Sequence, residues 1–313
     1  MAIPESDPPS TDEPPTAGSR RSVVVALALA ARPRQWVKNV LVFAAPGDAG
    51  VLSHHHPLEL SLGAFAIFCV TASGVYLIND SIDAEADRLH PQKRHRPVAA
   101  GDLSPTLATT IGLGALAVGL AASAVLSGWQ LALTIGVYAV INIAYCLGLK
   151  NEPVVDLAAV ASGFVLRTIA GGVAAHVPLS DWFLIVTSFG SLFIVAGKRH
   201  AEHLDLGEDR GDHRATLSVY SLAYLRYVRA VASGIALTAY CLWAFEKAAH
   251  AASDVSISFR LSIVPVTLAI LRYAFLLDRG EGGAPEEVFL SDRRLQVAGV
   301  VWVILFAIGV YGS

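Results

Sequence analysis

The residues best equipped for chemistry lie in one run, Tyr76-Leu-Ile-Asn79-Asp80-Ser-Ile-Asp83-Ala-Glu-Ala-Asp87. On a helix, Asn79, Asp83 and Asp87 recur every four residues and share one face, with Asp80 beside them at three-residue spacing from Asp83. Carboxylates so arranged repel one another unless a cation neutralises them. Mg2+ suits the task, being a hard ion that takes oxygen ligands and usually keeps waters or substrate phosphates. Asn79, Asp83 and Asp87 are therefore the expected metal ligands, and Asp83, Asp87 and Asp80 the expected catalytic carboxylates. The chain then reverses charge, with Arg88 followed by Lys93-Arg94-His95-Arg96-Pro97. A cationic loop beside a carboxylate–metal site suits a polyphosphate, whose oxygens need both Mg2+ and Lys or Arg partners. Part of that positive charge also serves membrane topology.

The elements that must position these groups are membrane helices. Of 313 residues, 54% are apolar and 16% charged, with a mean hydropathy of +0.54. A soluble chain carries roughly a quarter charged residues. Leu103 to Leu149 holds no Asp, Glu, Lys or Arg over 47 positions, enough for two crossings at about 20 apolar residues each. The reading is an all-α integral membrane protein with nine spans, near 34–53, 59–80, 105–126, 129–147, 154–174, 181–198, 224–246, 257–276 and 294–312. Residues 1–21 read as a disordered tail, with five prolines in the first nineteen positions, and 22–313 as a single polytopic catalytic domain. Arg20-Arg21 and the apolar run after them imitate a signal peptide, but Arg32-Pro33-Arg34 stands where small cleavage-site residues belong.

With the N-terminus in the cytoplasm, the inner loops, N-terminal region and flanking span ends hold 20 of the 23 Lys and Arg. The expected location is therefore the plasma membrane, with the chemistry on the cytoplasmic face. A net charge of −3 excludes a generally basic nucleic-acid binder. Cys69, Cys146 and Cys241 lie far apart in apolar runs and read as buried side chains, with no disulfide framework or zinc site.

Asn79-Asp80-x-x-Asp83-x-x-x-Asp87 followed by Arg96-Pro97-x-Ala-x-Gly, with nine spans and long inner loops, resembles the UbiA-type intramembrane prenyltransferase superfamily. The resemblance covers nearly everything after residue 30 and implies a UbiA-like helical bundle. Arg32-Pro33-Arg34-Gln35-Trp36-Val-Lys38-Asn39, Gly148-Leu-Lys150-Asn151, Arg167-Thr-Ile-Ala-Gly171-Gly172 and Gly197-Lys198-Arg199-His200-Ala201-Glu202 are similar to the decaprenyl-phosphate phosphoribosyltransferases within it. Membership there implies Mg2+-dependent transfer of 5-phosphoribose from phosphoribosyl diphosphate to a polyprenyl phosphate lipid, toward the arabinose donor of cell walls. Aromatic prenyltransferases of the superfamily carry a second D-x-x-x-D after the sixth span. Here that place reads Lys198-Arg199-His200-Ala201-Glu202, and a Lys–Arg pair can hold a phosphate monoester without metal. Tyr145 to Lys150 is one residue longer than the superfamily's Y-x-x-x-K, so Lys150 carries more weight than Tyr145.

The expected ribose and phosphate contacts are Lys38, Tyr76, Lys93, Arg96, Lys150, Arg167, Lys198 and Arg199. Arg167 lies deep in the fifth span, where a charge needs a wet cavity or a partner, and a phosphate is favoured over a structural ion pair. Lys38 could instead snorkel to the interface. His54-His55-His56 has no ligand cluster around it and reads as a solvated loop. Gly112, Gly114 and Gly119 suggest close helix packing. The rival readings are an aromatic or quinone prenyltransferase, which wants a second carboxylate cluster, and a polytopic transporter, which wants inverted repeats. Oligomeric state, including a homo-oligomer, and prenyl chain length are left open.

Overall fold

A computed structural model of the chain describes residues 21–205, 215–281, 283 and 285–312. The expected tail lies outside the described residues except for Arg21. Every regular element among the described residues is helical. Eight helices are long and apolar enough to cross a membrane: α1 (His55–Ile82), α2 (Pro105–Ser127), α3 (Trp129–Leu147), α4 (Val155–Ala174), α5 (Asp181–Asp205), α6 (Leu222–His250), α7 (Val255–Asp278) and α8 (Arg293–Tyr311). The chain is a multi-pass membrane protein.

Their ends follow ordinary capping chemistry. Ser104, Ser221 and Asp292 cap α2, α6 and α8 by accepting from the backbone N–H of Leu107 (3.2 Å), Tyr224 (3.1 Å) and Leu295 (2.9 Å). Gly128, at φ 81°, turns the chain from α2 straight into α3, a conformation that favours glycine.

The first expected span, 34–53, is not a regular α-helix. It is a 3-10 helix over Pro33–Phe43, a short α-helical turn over Ala44–Asp48 and another 3-10 turn over Val51–Ser53. Arg34, Gln35, Lys38 and Asn39 make it too polar for a lipid-facing helix, and Pro46 interrupts it. At about 2 Å per residue, the long 3-10 stretch still rises roughly 22 Å. It runs antiparallel along α1, with Trp36 Nε1 donating to Ser73 Oγ (3.1 Å) and Asn39 Nδ2 to Cys69 Sγ (3.2 Å). Its far end meets the ends of α6 and α8, where Lys247 pairs with Asp48 (3.1 Å) and the Tyr311 hydroxyl donates to the Gly47 carbonyl (3.5 Å).

One core packs α1 to α4 around Phe68, Leu131, Ile135 and Tyr138. Others pack α5 to α8 around Phe193 and Leu277, and around Tyr240 and Trp243. Leu157, Val195, Tyr220 and Leu225 join the two halves. Small residues set the closest approaches. A methyl group at Gly112 would crowd the Gly74 carbonyl and Ile78, and one at Gly119 would overlap Thr71, so both glycines let α2 lie tightly on α1. Gly114 faces open space instead, contrary to its expected packing role.

Gly171 on α4 admits the 3-10 segment, because a methyl group there would overlap the Val42 carbonyl. Gly171→Ala should therefore force backbone movement and destabilise the protein by about 1–3 kcal/mol or more. Thermal melting of the purified protein in detergent reads this out. An unchanged midpoint would contradict so close an approach.

Candidate active site

The acidic run straddles the end of α1. The helix stops at Ile82, Asp83 takes φ −87° and ψ 4°, and a short helix resumes over Ala84–Leu89. The four-residue step survives the break, since the Asp83 N–H donates to the Asn79 carbonyl (2.9 Å) and the Asp87 N–H to the Asp83 carbonyl (2.8 Å). Asn79, Asp83 and Asp87 consequently line one cavity of about 980 Å³.

Cations close the other walls. The loop after Leu89 folds back on itself, with Arg88 Nε donating to the Ala99 carbonyl (3.3 Å), the Ala100 N–H to the Arg96 carbonyl (2.8 Å), and Val98 and Leu103 buried beneath. This aims Arg96 at Asp87, where Nη1 donates to Oδ2 at 2.7 Å. Lys93 lines the same wall. Lys150, on the 3-10 turn Leu149–Asn151 that follows α3, donates to Asp83 Oδ1 at 2.6 Å. Lys198 enters from α5, and Arg32 from the turn before the 3-10 segment. Tyr76, Asn142, Tyr145 and Cys146 complete the polar lining, and the Cys146 thiol donates to Asn79 Oδ1 at 3.0 Å. Among the described residues, five Lys and Arg face two Asp, a balance that favours an anion.

Several expected contacts sit elsewhere. Asp80 is buried off the cavity wall, accepting from Arg32 and from Arg96 Nη1 (3.4 Å). Arg199, expected beside Lys198 at a phosphate, turns away into the bundle. It is 3% exposed, with Nε on Asp156 Oδ2 (3.2 Å), Nη1 on Glu202 Oε2 (2.9 Å) and Nη2 on the Tyr145 hydroxyl (3.4 Å). Tyr220 also donates to Asp156, while its hydroxyl accepts from the Val154 N–H (2.6 Å), so this network ties α4, α5 and the approach to α6.

Arg167 is likewise a core residue and does not line the cavity. It donates to Asn39 Oδ1 (2.7 Å), the Gly163 carbonyl (2.6 Å) and the Tyr138 hydroxyl (3.0 Å), and lies 4.9 Å from the Tyr138 ring centre. Neither a phosphate nor a carboxylate is needed to satisfy it. Lys38 also stays off the cavity, with Nζ on Gln35 Oε1 at 2.6 Å. His54, His55 and His56 are exposed, and no group of three or more His, Cys, Asp or Glu at metal spacing occurs among the described residues.

Arg32, quoted from the sequence only within a motif, Cys146, read there only as a buried side chain, and Asn142 all line the cavity without having been expected as contacts. Arg32 had a readable signal, as a cation immediately before a proline at the mouth of a polar segment. Asn142 and Cys146 had none, because a single polar residue in an apolar helix says little about the direction it faces.

The donor chemistry fits Mg2+ in one mode. Asn79, Asp83 and Asp87 present oxygen atoms to the cavity, yet the two carboxylates are paired with Lys150 and Arg96. That leaves one or two carboxylates to share a metal with substrate phosphates, the usual arrangement for Mg2+.

These features define a polytopic helical membrane protein with a cavity lined by cations and floored by oxygen donors. The chain belongs to the UbiA prenyltransferase family, whose model matches residues 40–309. It is 47% identical to the decaprenyl-phosphate phosphoribosyltransferase of Corynebacterium glutamicum over 287 residues, covering 90% of this chain and 86% of that one. It is 44% identical to the enzyme of the same name from Mycolicibacterium smegmatis over 319 residues, covering 97% and 98%. In structure it is similar to a UbiA homolog from Archaeoglobus fulgidus bound to GPP and Mg2+, with a TM-score of 0.69 at 18% identity, covering 92% of this chain and 100% of that one.

Proposed function

We propose that the protein transfers 5-phosphoribose from 5-phosphoribosyl 1-diphosphate to decaprenyl phosphate or a similar polyprenyl phosphate, releasing diphosphate. The observation that carries this reading is the cavity's charge: among the described residues, Arg32, Lys93, Arg96, Lys150 and Lys198 surround Asp83 and Asp87 alone. That balance suits a donor and acceptor bearing several phosphates between them. It does not suit a neutral aromatic acceptor with a second metal. The two relatives named for this reaction match the chain over nearly its whole length.

In the reaction, an oxygen of the lipid phosphate attacks ribose C1 as the bond from C1 to the diphosphate oxygen breaks. The diphosphate leaves with the electron pair. No general base is required, because a phosphate monoester with a second pKa near 6 is largely ionised at neutral pH. The protein's contribution is positioning and charge stabilisation. Arg96 and Lys150 sit where they can release Asp87 and Asp83 and take phosphate oxygens instead. Lys93 and Lys198 supply further charge for the second phosphorylated substrate. Asn79, Asp83 and Asp87 would hold Mg2+, which when bound neutralises charge on the departing diphosphate.

Formation of a phosphoribosyl lipid from labelled donor and decaprenyl phosphate by the purified protein tests the reading. Activity with a prenyl diphosphate and an aromatic acceptor, and none with phosphoribosyl diphosphate, would overturn it. The cavity faces the cytoplasm in this proposal, following the distribution of Lys and Arg. A cysteine introduced at His95 should be labelled only from the cytoplasmic side, and one at His55 only from outside. Labelling of both from one side would refute that orientation.

A further inference from the structure

Asp80 lies within the acidic run and is buried like Asp87, yet of Asn79, Asp80, Asp83 and Asp87 it is the one that does not line the cavity. Its side chain is 1% exposed and takes no part in the cavity wall. Oδ1 accepts from Arg32 Nη2 and from Arg96 Nη1 (3.4 Å), and Oδ2 has no hydrogen-bond partner. Both arginines do line the cavity. Arg32 is further constrained, since its backbone holds φ 53° and its guanidinium lies 5.0 Å from the Tyr76 ring centre. A non-glycine residue in the left-handed region persists only where its surroundings over-determine it.

We infer that Asp80 is a positioning residue, whose buried carboxylate holds Arg32 and Arg96 together as a clamp for the donor's diphosphate. Metal contact then falls to Asn79, Asp83 and Asp87 on the cavity wall. Two guanidiniums converging on one anion repel each other, and a single carboxylate behind them offsets that repulsion while leaving net positive charge in front. Arginine suits the task because its planar fork can present two N–H groups to phosphate oxygens. Mg2+ dehydrates reluctantly and keeps several waters, so a carboxylate this buried behind two cations is a poor ligand for it.

The identity of the anion rests on the proposed reaction, whereas the clamp itself requires only a diphosphate. The test is equilibrium binding of labelled inorganic diphosphate to the purified full-length protein, first in EDTA and then across a Mg2+ titration. Asp80→Asn keeps the shape and removes the charge. It should weaken metal-free binding about tenfold and leave the Mg2+ midpoint where it is in the wild type. Arg32→Ala should produce the same loss, and combining the two should add little, because both dismantle one unit. Asp83→Asn should do the reverse, moving the Mg2+ midpoint while metal-free binding persists.

Unchanged metal-free binding in Asp80→Asn, or a shifted Mg2+ midpoint like that of Asp83→Asn, would overturn the inference. Should Asp80→Asn fail to fold, Arg32→Lys keeps the charge without the fork and should weaken metal-free binding severalfold. No change there would equally overturn the clamp. Wild-type protein that binds diphosphate but makes no phosphoribosyl lipid would refute the proposed reaction and leave the clamp standing.

Discussion

Asp83→Asn should lower kcat by about 10²–10³, the scale seen when one electrostatic contact to a developing charge is removed. Asp83 stands at the break between α1 and the helix after it, half-buried, with its carboxylate 2.6 Å from Lys150 Nζ. Asparagine preserves size and one oxygen, so the backbone bonds to Asn79 and Asp87 that shape the site are retained. What disappears is the charge that would share Mg2+ with the diphosphate and that orients Lys150. Glu85, two residues on and exposed, is the internal control, and Glu85→Gln should be silent. Steady-state rates at limiting and saturating Mg2+, with melting to verify folding, separate the outcomes. Near-normal turnover of Asp83→Asn at limiting Mg2+ would remove the metal role.

The acidic site was legible because two periodicities coincide. A four-residue recurrence at the end of an apolar run survives a helix break as long as the i to i+4 backbone bonds do, and here they do. The long apolar helices were legible for the same local reason. The 34–53 segment was not, because Trp36, Asn39 and Asp48 meet partners brought in from α1, α4 and α6, and nothing in the local sequence announces those partners. Arg167 shows the same limit. Its acceptors, Asn39 and Tyr138, stand 128 and 29 residues away in sequence, so its burial with full satisfaction could not be told from a ligand contact. Asp80 and Arg199 are different. Successive residues on a helix point about 100° apart, which turns Asp80 away from Asn79 and Arg199 away from Lys198, although the adjacent Tyr145 and Cys146 both reach the cavity. Charge type drew each into the site, and partners on the turned-away side, Arg32 and Arg96 for Asp80 and Asp156 and Glu202 for Arg199, take each out.

Lys198 and Arg199 should therefore fail in unlike ways despite being neighbours. Arg199→Ala removes the cation from Asp156, which is fully buried, and from Glu202. Breaking a buried pair from one side costs about 3–5 kcal/mol, because the remaining charge is left uncompensated. The expected result is a large fall in melting temperature or in recovery of folded protein. Replacing both members, Arg199→Met with Asp156→Asn, should regain part of that loss, since neutral groups of similar size no longer carry the desolvation cost. Lys198 is exposed and lines the cavity. Lys198→Ala should leave melting unchanged and weaken the use of one phosphorylated substrate by about 1.5–3 kcal/mol, the worth of a charge-assisted bond. The KM that rises, for phosphoribosyl diphosphate or for polyprenyl phosphate, identifies the phosphate that Lys198 holds. Equal losses of activity with unchanged melting in both variants would mean that Arg199 reaches the ligand after all, and that the buried network around Asp156 is not what holds it.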